Sequence, residues 1–575
     1  MADVVVVISD MLWSSRTNRK SAISELLGQI KERAYMISIG LLLFSAVLWV
    51  ISSFQAKVAL SNSMDVIGDL GLFSLLPPAF FLAFSMLILS FVFVLVSYKK
   101  LGKNVKFLLL CQSVLLILIV NLTPVLIEGT ARFATGYSNF QAVDYISKMG
   151  HFDSTDLWIL NWPSFSVFIS IFSQLTSFSP SIILMLYPTV FNLLFFLGLF
   201  IFFRSVFDQG KMVWLAIWFV FLGNWVGQDY FSMQSMGLLF VVFLLFLLFR
   251  TMKNELRTHH WIVLFSVFFF YTVSSHVLSS LMITGAVFTL YLAKYHRRTI
   301  LLFSSAVMLV AWTVFGAFDY LSKSLFSTLE AMLNPFDTLL TNLFNRASTG
   351  SATHVLASNI RIGYSGLIVS IALTCIIVLL VSQSFKRTEK TFFTIMLGFS
   401  MFVIFAYGGE IFMRLYMFLL IPLAYFVAKV LLTHRRLFIT CFLVLIIVAP
   451  SLLMVSHYGN EQMDFRRESE LHGIGFFFDS VTGGTVYGLL NHYRYEPNFT
   501  LGSLSQISEL HWVVPLSGRA GHVKPYFICV SELSVQYYAF FRDVSFLTSL
   551  DENISRAPFI NKVYSAPFVA IYDSK

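Results

Sequence analysis

LTPVLIEGTARFATGYSNFQAVDYISKMGHFD, residues 122–153, decides the reading of this chain. A long apolar run stops at Glu128 and gives way to a polar segment carrying Arg132, Asp144 and His151. Working outward from that boundary, the 575 residues are 57% hydrophobic, 17% aromatic and 12% charged. That composition excludes a soluble globular enzyme and a disordered chain, and describes a polytopic membrane protein. About 20 apolar residues cross a bilayer as a helix, because a helix satisfies its own backbone in hydrocarbon. Runs of this kind occur at 34–54, 78–98, 107–127, 181–203, 212–227, 234–250, 260–275, 277–294, 300–318, 364–383, 391–408, 411–432 and 437–456. The stretch PSFSVFISIFSQLTSF, 163–178, opens on a proline and is too short to span; it is expected to lie at the interface or re-enter.

The net charge of +9 would suggest nucleic acid in a soluble chain, but here it sorts by position. With the N-terminus inside, 23 Lys and Arg fall on inner loops, among them Lys99, Lys100, Lys103, Lys106, Lys386, Arg387, Arg435 and Arg436. Only 7 fall on outer loops of the membrane part: Lys57, Arg132, Lys148, Lys323, Arg346, Arg361 and Arg414. This bias predicts a multi-pass protein of the cell membrane with a cytoplasmic N-terminus, and gives no sign of a nucleic-acid partner. An odd number of spans then places residues 457–575 outside, where short β-rich runs such as GGTVYGLL, PYFICV and NKVYSAPFVAIYD predict a small α/β domain; the last run reads as a hairpin. The expected organisation is a cytoplasmic segment 1–33, an accessory transmembrane hairpin 34–106, a membrane domain 107–456 with outer loops 128–180 and 319–363, and the extracytoplasmic domain 457–575. The start MADVVVVISD lacks the cationic region of a cleavable signal, and the four cysteines are too scattered for a disulfide framework or a Cys-based metal site.

Ionisable residues fall at span ends and in loops, which argues against an ion-coupled transporter. They gather instead on the outer side, the layout of an enzyme working at the membrane surface. Glu128 at the hydrocarbon edge could act as a general base; a helix-ending Glu that meets headgroups is the plainer alternative. Asp144 and Lys148 are four apart, the spacing of a helix-surface pair. In GNWVGQDYFSMQSMG, 223–237, Gln228, Asp229 and Gln234 interrupt an apolar stretch, and in TVSSHVLSS, 272–280, His276 stands between two short spans; both also suit a tight turn. In AYGGEIFMRLYMFLLIPLA, 406–424, Glu410 and Arg414 could be a local i, i+4 pair, or Arg414 could grip a phosphate with Glu410 orienting it. No Gly-rich phosphate loop, HExxH, GxSxG or kinase signature occurs, so a soluble nucleotide donor is not indicated.

With these residues in place, the chain from about 107 to 575 resembles the GT-C superfamily of membrane glycosyltransferases. The likeness rests on the acidic residue opening the first outer loop, NWPSFSVFISIFSQLTSFSPSIILMLYP, QDYFSMQ, SSHVLSS, GGEIFMRLYMFLLIP and the closing NKVYSAPFVAIYD. The resemblance implies an all-α polytopic fold of about 13 transmembrane helices with the small outer domain. It further implies transfer of a sugar from a polyprenyl-phosphate donor to a glycan, lipid or protein acceptor on the extracytoplasmic face. Glu128 and Asp144 would then be catalytic, and Arg132, Asp229, His276, Glu410 and Arg414 would bind substrate. No cofactor is called for; the resemblance admits a divalent cation, although no Asp-x-Asp pair follows the span. A lipid-linked glycan flippase or transporter, and a glycan polymerase or ligase, are the alternatives.

Overall fold

The computed structural model describes residues 16–62, 70–155, 157–252, 258–296, 298–320, 322–323, 352–404, 410–460, 464–487, 494–495, 499–502, 526–531, 560–566 and 569–574. Most of the expected outer loop 319–363 and the first 15 residues of the N-terminal segment lie outside these residues. Helices α1 (Arg16–Asn62), α2 (Pro78–Ser97) and α3 (Lys103–Asn121) lead to a single short helix, α4 (Thr123–Glu128). Helices α5 (Ala134–Met149) and α6 (Ser164–Thr176) follow, then α7 (Pro180–Val206), α8 (Gly210–Gly223), α9 (Met233–Met252), α10 (Thr258–Ser275) and α11 (Val277–Leu292). The membrane part ends with α12 (Thr299–Ala311), α13 (Ala352–Val381), α14 (Arg387–Ser400), α15 (Ile411–Thr433) and α16 (Arg435–Tyr458), after which α17 spans Glu468–Ser480.

Among the described residues, nine helices are long and apolar enough to cross a membrane. The predicted spans at 212–227, 260–275 and 277–294 correspond to the shorter α8, α10 and α11, and the predicted span 391–408 overlaps α14, its last four residues lying outside the described residues. The shortening of α8 has a visible cause. It stops at Gly223, whose Cβ position lies 2.9 Å from Leu420 Cδ2, so a side chain there would collide with α15. Its last carbonyls are met inside the bundle by tyrosine hydroxyls: Tyr364 donates to Leu222 O at 2.6 Å and Tyr416 to Gly223 O at 2.7 Å. Those acceptors would otherwise be orphaned where no water reaches them. The predicted single span 107–127 is likewise two helices. Pro124 lacks an N–H and cannot continue the ladder, so α3 ends at Asn121 and α4 restarts with Pro in its first turn.

Polar clamps join the first helices to the rest. Ser45 donates to Ala83 O, Ser90 to Ser38 O, and Gln112 Nε2 to Ser90 Oγ at 2.6 Å, tying α1, α2 and α3 together. Helices α11 and α14 cross at Gly285 and Gly398, where each glycine sits against the other's backbone carbonyl. Such small-residue crossings let helix backbones approach within the bilayer. Beyond α16, five strands form one mixed sheet in the order β2-β1-β3-β5-β4: β1 Gly484–Tyr487, β2 Phe499–Gly502, β3 Tyr526–Ser531, β4 Ile560–Ala566 and β5 Val569–Ser574. β1 pairs in parallel with β2 and β3, while β5 pairs antiparallel with β3 and β4. The β4–β5 pairing, with Ala566 opposite Val569, is the hairpin expected from NKVYSAPFVAIYD.

Candidate functional site

At the end of the bundle that the charge bias assigns to the outer side, α3 ends, α4 turns and the loop 224–232 crosses between α8 and α9. A small cleft opens there, bounded by Asn121, Pro124, Arg132, Asp229, His457 and Tyr458 among others. The residues before α5 owe their position to an unusual backbone. Phe133 has φ +66°, a region costly for a bulky residue, and persists because its N–H donates to Asp464 O at 3.0 Å while its carbonyl accepts from Gly136 N at 2.8 Å. Its ring packs 4.8 Å from that of Tyr230 and touches the Cβ position of Gly227, so loop 224–232 is pressed against the same turn. Asn139 Nδ2 donates to Phe231 O at 2.8 Å and completes the attachment.

These constraints deliver Arg132 and Asp229 to one place. The Arg132 guanidinium lies between two rings, 4.2 Å from the centroid of Phe133 and 4.4 Å from that of Tyr458, and donates to Asp464 Oδ2 at 3.3 Å and His457 O at 3.4 Å. Asp229 is buried and accepts from Asn192 Nδ2 at 2.9 Å; the same amide reaches Asn121 Oδ1 at 3.0 Å. His457 Nε2 lies 3.8 Å from Asp229 Oδ1. A second guanidinium, Arg361, stacks 5.6 Å over Trp225 and donates to Ser456 O at 2.7 Å, and its charge acts on His457. A carboxylate, an imidazole and guanidinium groups thus meet at the mouth of apolar helices, where such groups are costly and usually serve function.

The other expected site residues fall elsewhere. Glu128 ends α4, one turn beyond the cleft-lining Pro124 and Val125, and Gly129 follows with φ +73°. The Glu128 charge acts on Tyr137, as does that of Arg466. Burial pushes the Tyr137 phenol up, and its oxygen accepts from Ala131 N at 3.2 Å. Arg466 is 0% exposed, pairs with Glu470 at 2.6 Å, and offers its carbonyl to the Thr130 hydroxyl. Asp144 belongs to neither group: it pairs with Lys148 at 2.9 Å and accepts from Tyr495 N at 2.7 Å. These contacts include the i, i+4 pair that the spacing suggested, and the pair meets the segment at Tyr495, whose ring packs edge-on against Tyr145.

His276 caps α11, with its Nδ1 accepting from Ser279 N at 3.3 Å, and lies within electrostatic reach of Arg414. Arg414 Nε donates to Glu410 Oε2 at 3.1 Å. This group stands at the starts of α11 and α15 and does not line the cleft with Arg132 and Asp229. The sequence reading overlooked Asn121, Asn192, Arg361, His457, Asp464 and Arg466. Asn121 and Asn192 were the readable signal, two amides set in apolar runs; FRRESELH, 465–472, looks like any charged linker. Among the described residues no group of three or more His, Cys, Asp or Glu side chains is placed to hold a metal ion. The cleft's donor set, one carboxylate and one imidazole, does not fit a divalent cation.

No protein-family model matches the chain, and no curated protein matches it in sequence. Several solved structures are similar in shape, among them two from one archaeon. One is an oligosaccharyltransferase of Archaeoglobus fulgidus tethered to an acceptor peptide containing the NVT sequon, at 12% identity and a TM-score of 0.43 over 70% of this chain. The other is the archaeal oligosaccharyltransferase AglB of the same organism, in complex with an inhibitory peptide and a dolichol-phosphate, at 10% identity and a TM-score of 0.46 over 75% of this chain. The chain spans 64% of the first and 70% of the second.

Proposed function

We propose that this chain is a membrane glycosyltransferase that moves a sugar from a polyprenyl-phosphate carrier to an acceptor on the extracytoplasmic face. The observation that carries the reading is the buried carboxylate of Asp229, facing His457 and sharing one cleft with Arg132 at the ends of membrane helices. The acceptor hydroxyl or amide attacks the anomeric carbon, forming the new glycosidic bond. The bond from that carbon to the phosphate oxygen breaks, and its electron pair leaves with the lipid phosphate. Asp229, the carboxylate that lines the cleft, takes the acceptor's proton. Asn192 orients it, and the guanidinium of Arg132, which lines the same cleft, is on hand for the phosphate's developing charge. Glu128 remains the second candidate base, one turn away.

The test uses purified protein with a labelled polyprenyl-phosphate sugar and an acceptor extract. Asp229→Asn should reduce transfer by about 10² to 10⁴, the usual worth of a general base, while purifying as wild type. Normal turnover in Asp229→Asn with loss in Glu128→Gln would move the base to Glu128; normal turnover in both would overturn the acid–base reading. Saturable translocation in acceptor-free liposomes, without transfer, would favour the flippase alternative.

A further inference from the structure

Gln234 is 3% exposed in the first turn of α9, and neither its amide nitrogen nor its amide oxygen has a hydrogen-bond partner. Burying an amide in this state costs on the order of kilocalories, and an apolar side chain of the same shape would be cheaper. The side chain's surroundings follow from its helix. Gln234 and Gly237 are three residues apart and share a face. A Cβ at Gly237 would lie 2.4 Å from Ser279 Oγ and 3.2 Å from His276 Cβ, so that face looks onto the start of α11. Gln234 therefore sits about one turn further out, before the N-terminus of α11, where the His276 cap and the Arg414 charge also meet. Because Ser279 N donates to His276 Nδ1, the proton of the neutral ring is on Nε2, which makes that nitrogen a donor.

The chemistry of the unsatisfied amide selects its ligand. A phosphate offers only acceptors and would leave Oε1 bare; a polyprenyl chain would leave both atoms bare. A sugar hydroxyl both donates and accepts, and satisfies Oε1 and Nε2 together. We propose that Gln234 is a specificity-determining residue that hydrogen-bonds hydroxyls of the transferred sugar at the starts of α9 and α11. The proposal rests on the glycosyltransferase reading above and names the part of the donor that this residue takes. It lies five residues along the chain from Asp229.

Binding of undecaprenyl phosphate, bare and linked to glucose, mannose or galactose, is measured on the purified full chain in micelles. In wild type the best hexose-bearing lipid should bind about tenfold tighter than the bare lipid phosphate, the worth of one well-made hydrogen-bonding pair. Gln234→Leu should melt no lower than wild type and bind the two lipids equally, with its affinity for the bare lipid unchanged. Gln234→Glu, of the same shape but without the Nε2 donor, should lose most of the difference and serves if the leucine variant does not fold. A retained tenfold difference in either variant, or a wild type that binds no hexose-bearing lipid more tightly than the bare one, overturns the proposal. A wild type that shows the difference yet transfers no sugar refutes the transferase reading and leaves the sugar contact standing.

Discussion

The segment joining the membrane helices to the sheet carries a fully buried ion pair, and Glu470→Gln tests how much it matters. Arg466 is 0% exposed and Glu470 1%, at 2.6 Å and four residues apart. Around them, Thr130 bonds to Arg466 O and Phe133 N to Asp464 O, so the pair also fixes the turn that aims Arg132 into the cleft. Removing one partner of a buried ion pair typically costs about 3 to 5 kcal/mol. At 1.4 kcal/mol per factor of ten, about 3 kcal/mol of local stability corresponds to amide exchange roughly a hundredfold faster. Hydrogen–deuterium exchange read by mass spectrometry should show that acceleration in 464–480 and in 128–139, and leave α9 and α15 unchanged. Glu468→Gln is the internal control, since Glu468 and His472 are 82% and 73% exposed at 3.6 Å and such pairs contribute little. The double replacement Arg466→Met with Glu470→Leu should restore slow exchange, because it removes both charges at once. Equal exchange in Glu470→Gln and Glu468→Gln would refute the reasoning.

Two further perturbations test the frame around the site. At the crossing of α11 and α14, a Cβ on Gly285 would lie 2.5 Å from Gly398 O, so Gly285→Leu should force the helices apart and sharply lower the yield of monodisperse protein in detergent; Gly366→Leu, with nothing within 4 Å, should not. His296, in the connection between α11 and α12, is buried, bonds to Thr251 at 3.0 Å, and burial pushes its pKa down to about 4. A histidine held below its unfolded value is neutral in the folded chain and protonates on unfolding, so stability is full above pH 6.5 and falls as pH drops toward 4. Between pH 7.5 and 4.5 the loss should be about 2 to 3 kcal/mol, and His296→Gln should reduce that slope in thermal melts; an unaltered slope would show that other groups carry it.

Much of the framework was legible because the membrane imposes a one-dimensional rule. Among the described residues, nine predicted spans fall on helices long and apolar enough to cross and three more on shorter apolar helices, since hydrocarbon admits few alternatives, and Pro163 marks the start of the short α6 where the proline suggested a non-spanning piece. The breaks were less legible. Pro124 was visible in the sequence, but the early end of α8 depends on two tyrosine hydroxyls, Tyr364 and Tyr416, lying 142 and 193 residues away along the chain.

The site divides in the same way. The sequence by itself determined that polar chemistry gathers at helix mouths on one side, because charged groups are excluded from the apolar runs between. It singled out Arg132 and Asp229, which do share a cleft, and it grouped with them Glu128, His276, Glu410 and Arg414, which stand at neighbouring positions, and Asp144, which braces Tyr495. Only the tertiary structure decided that His457, at the end of the last membrane helix, faces Asp229, and that Gln234 lies buried without a partner. Those facts depend on which helix ends meet in space, and period and composition carry no information about contacts between segments more than two hundred residues apart.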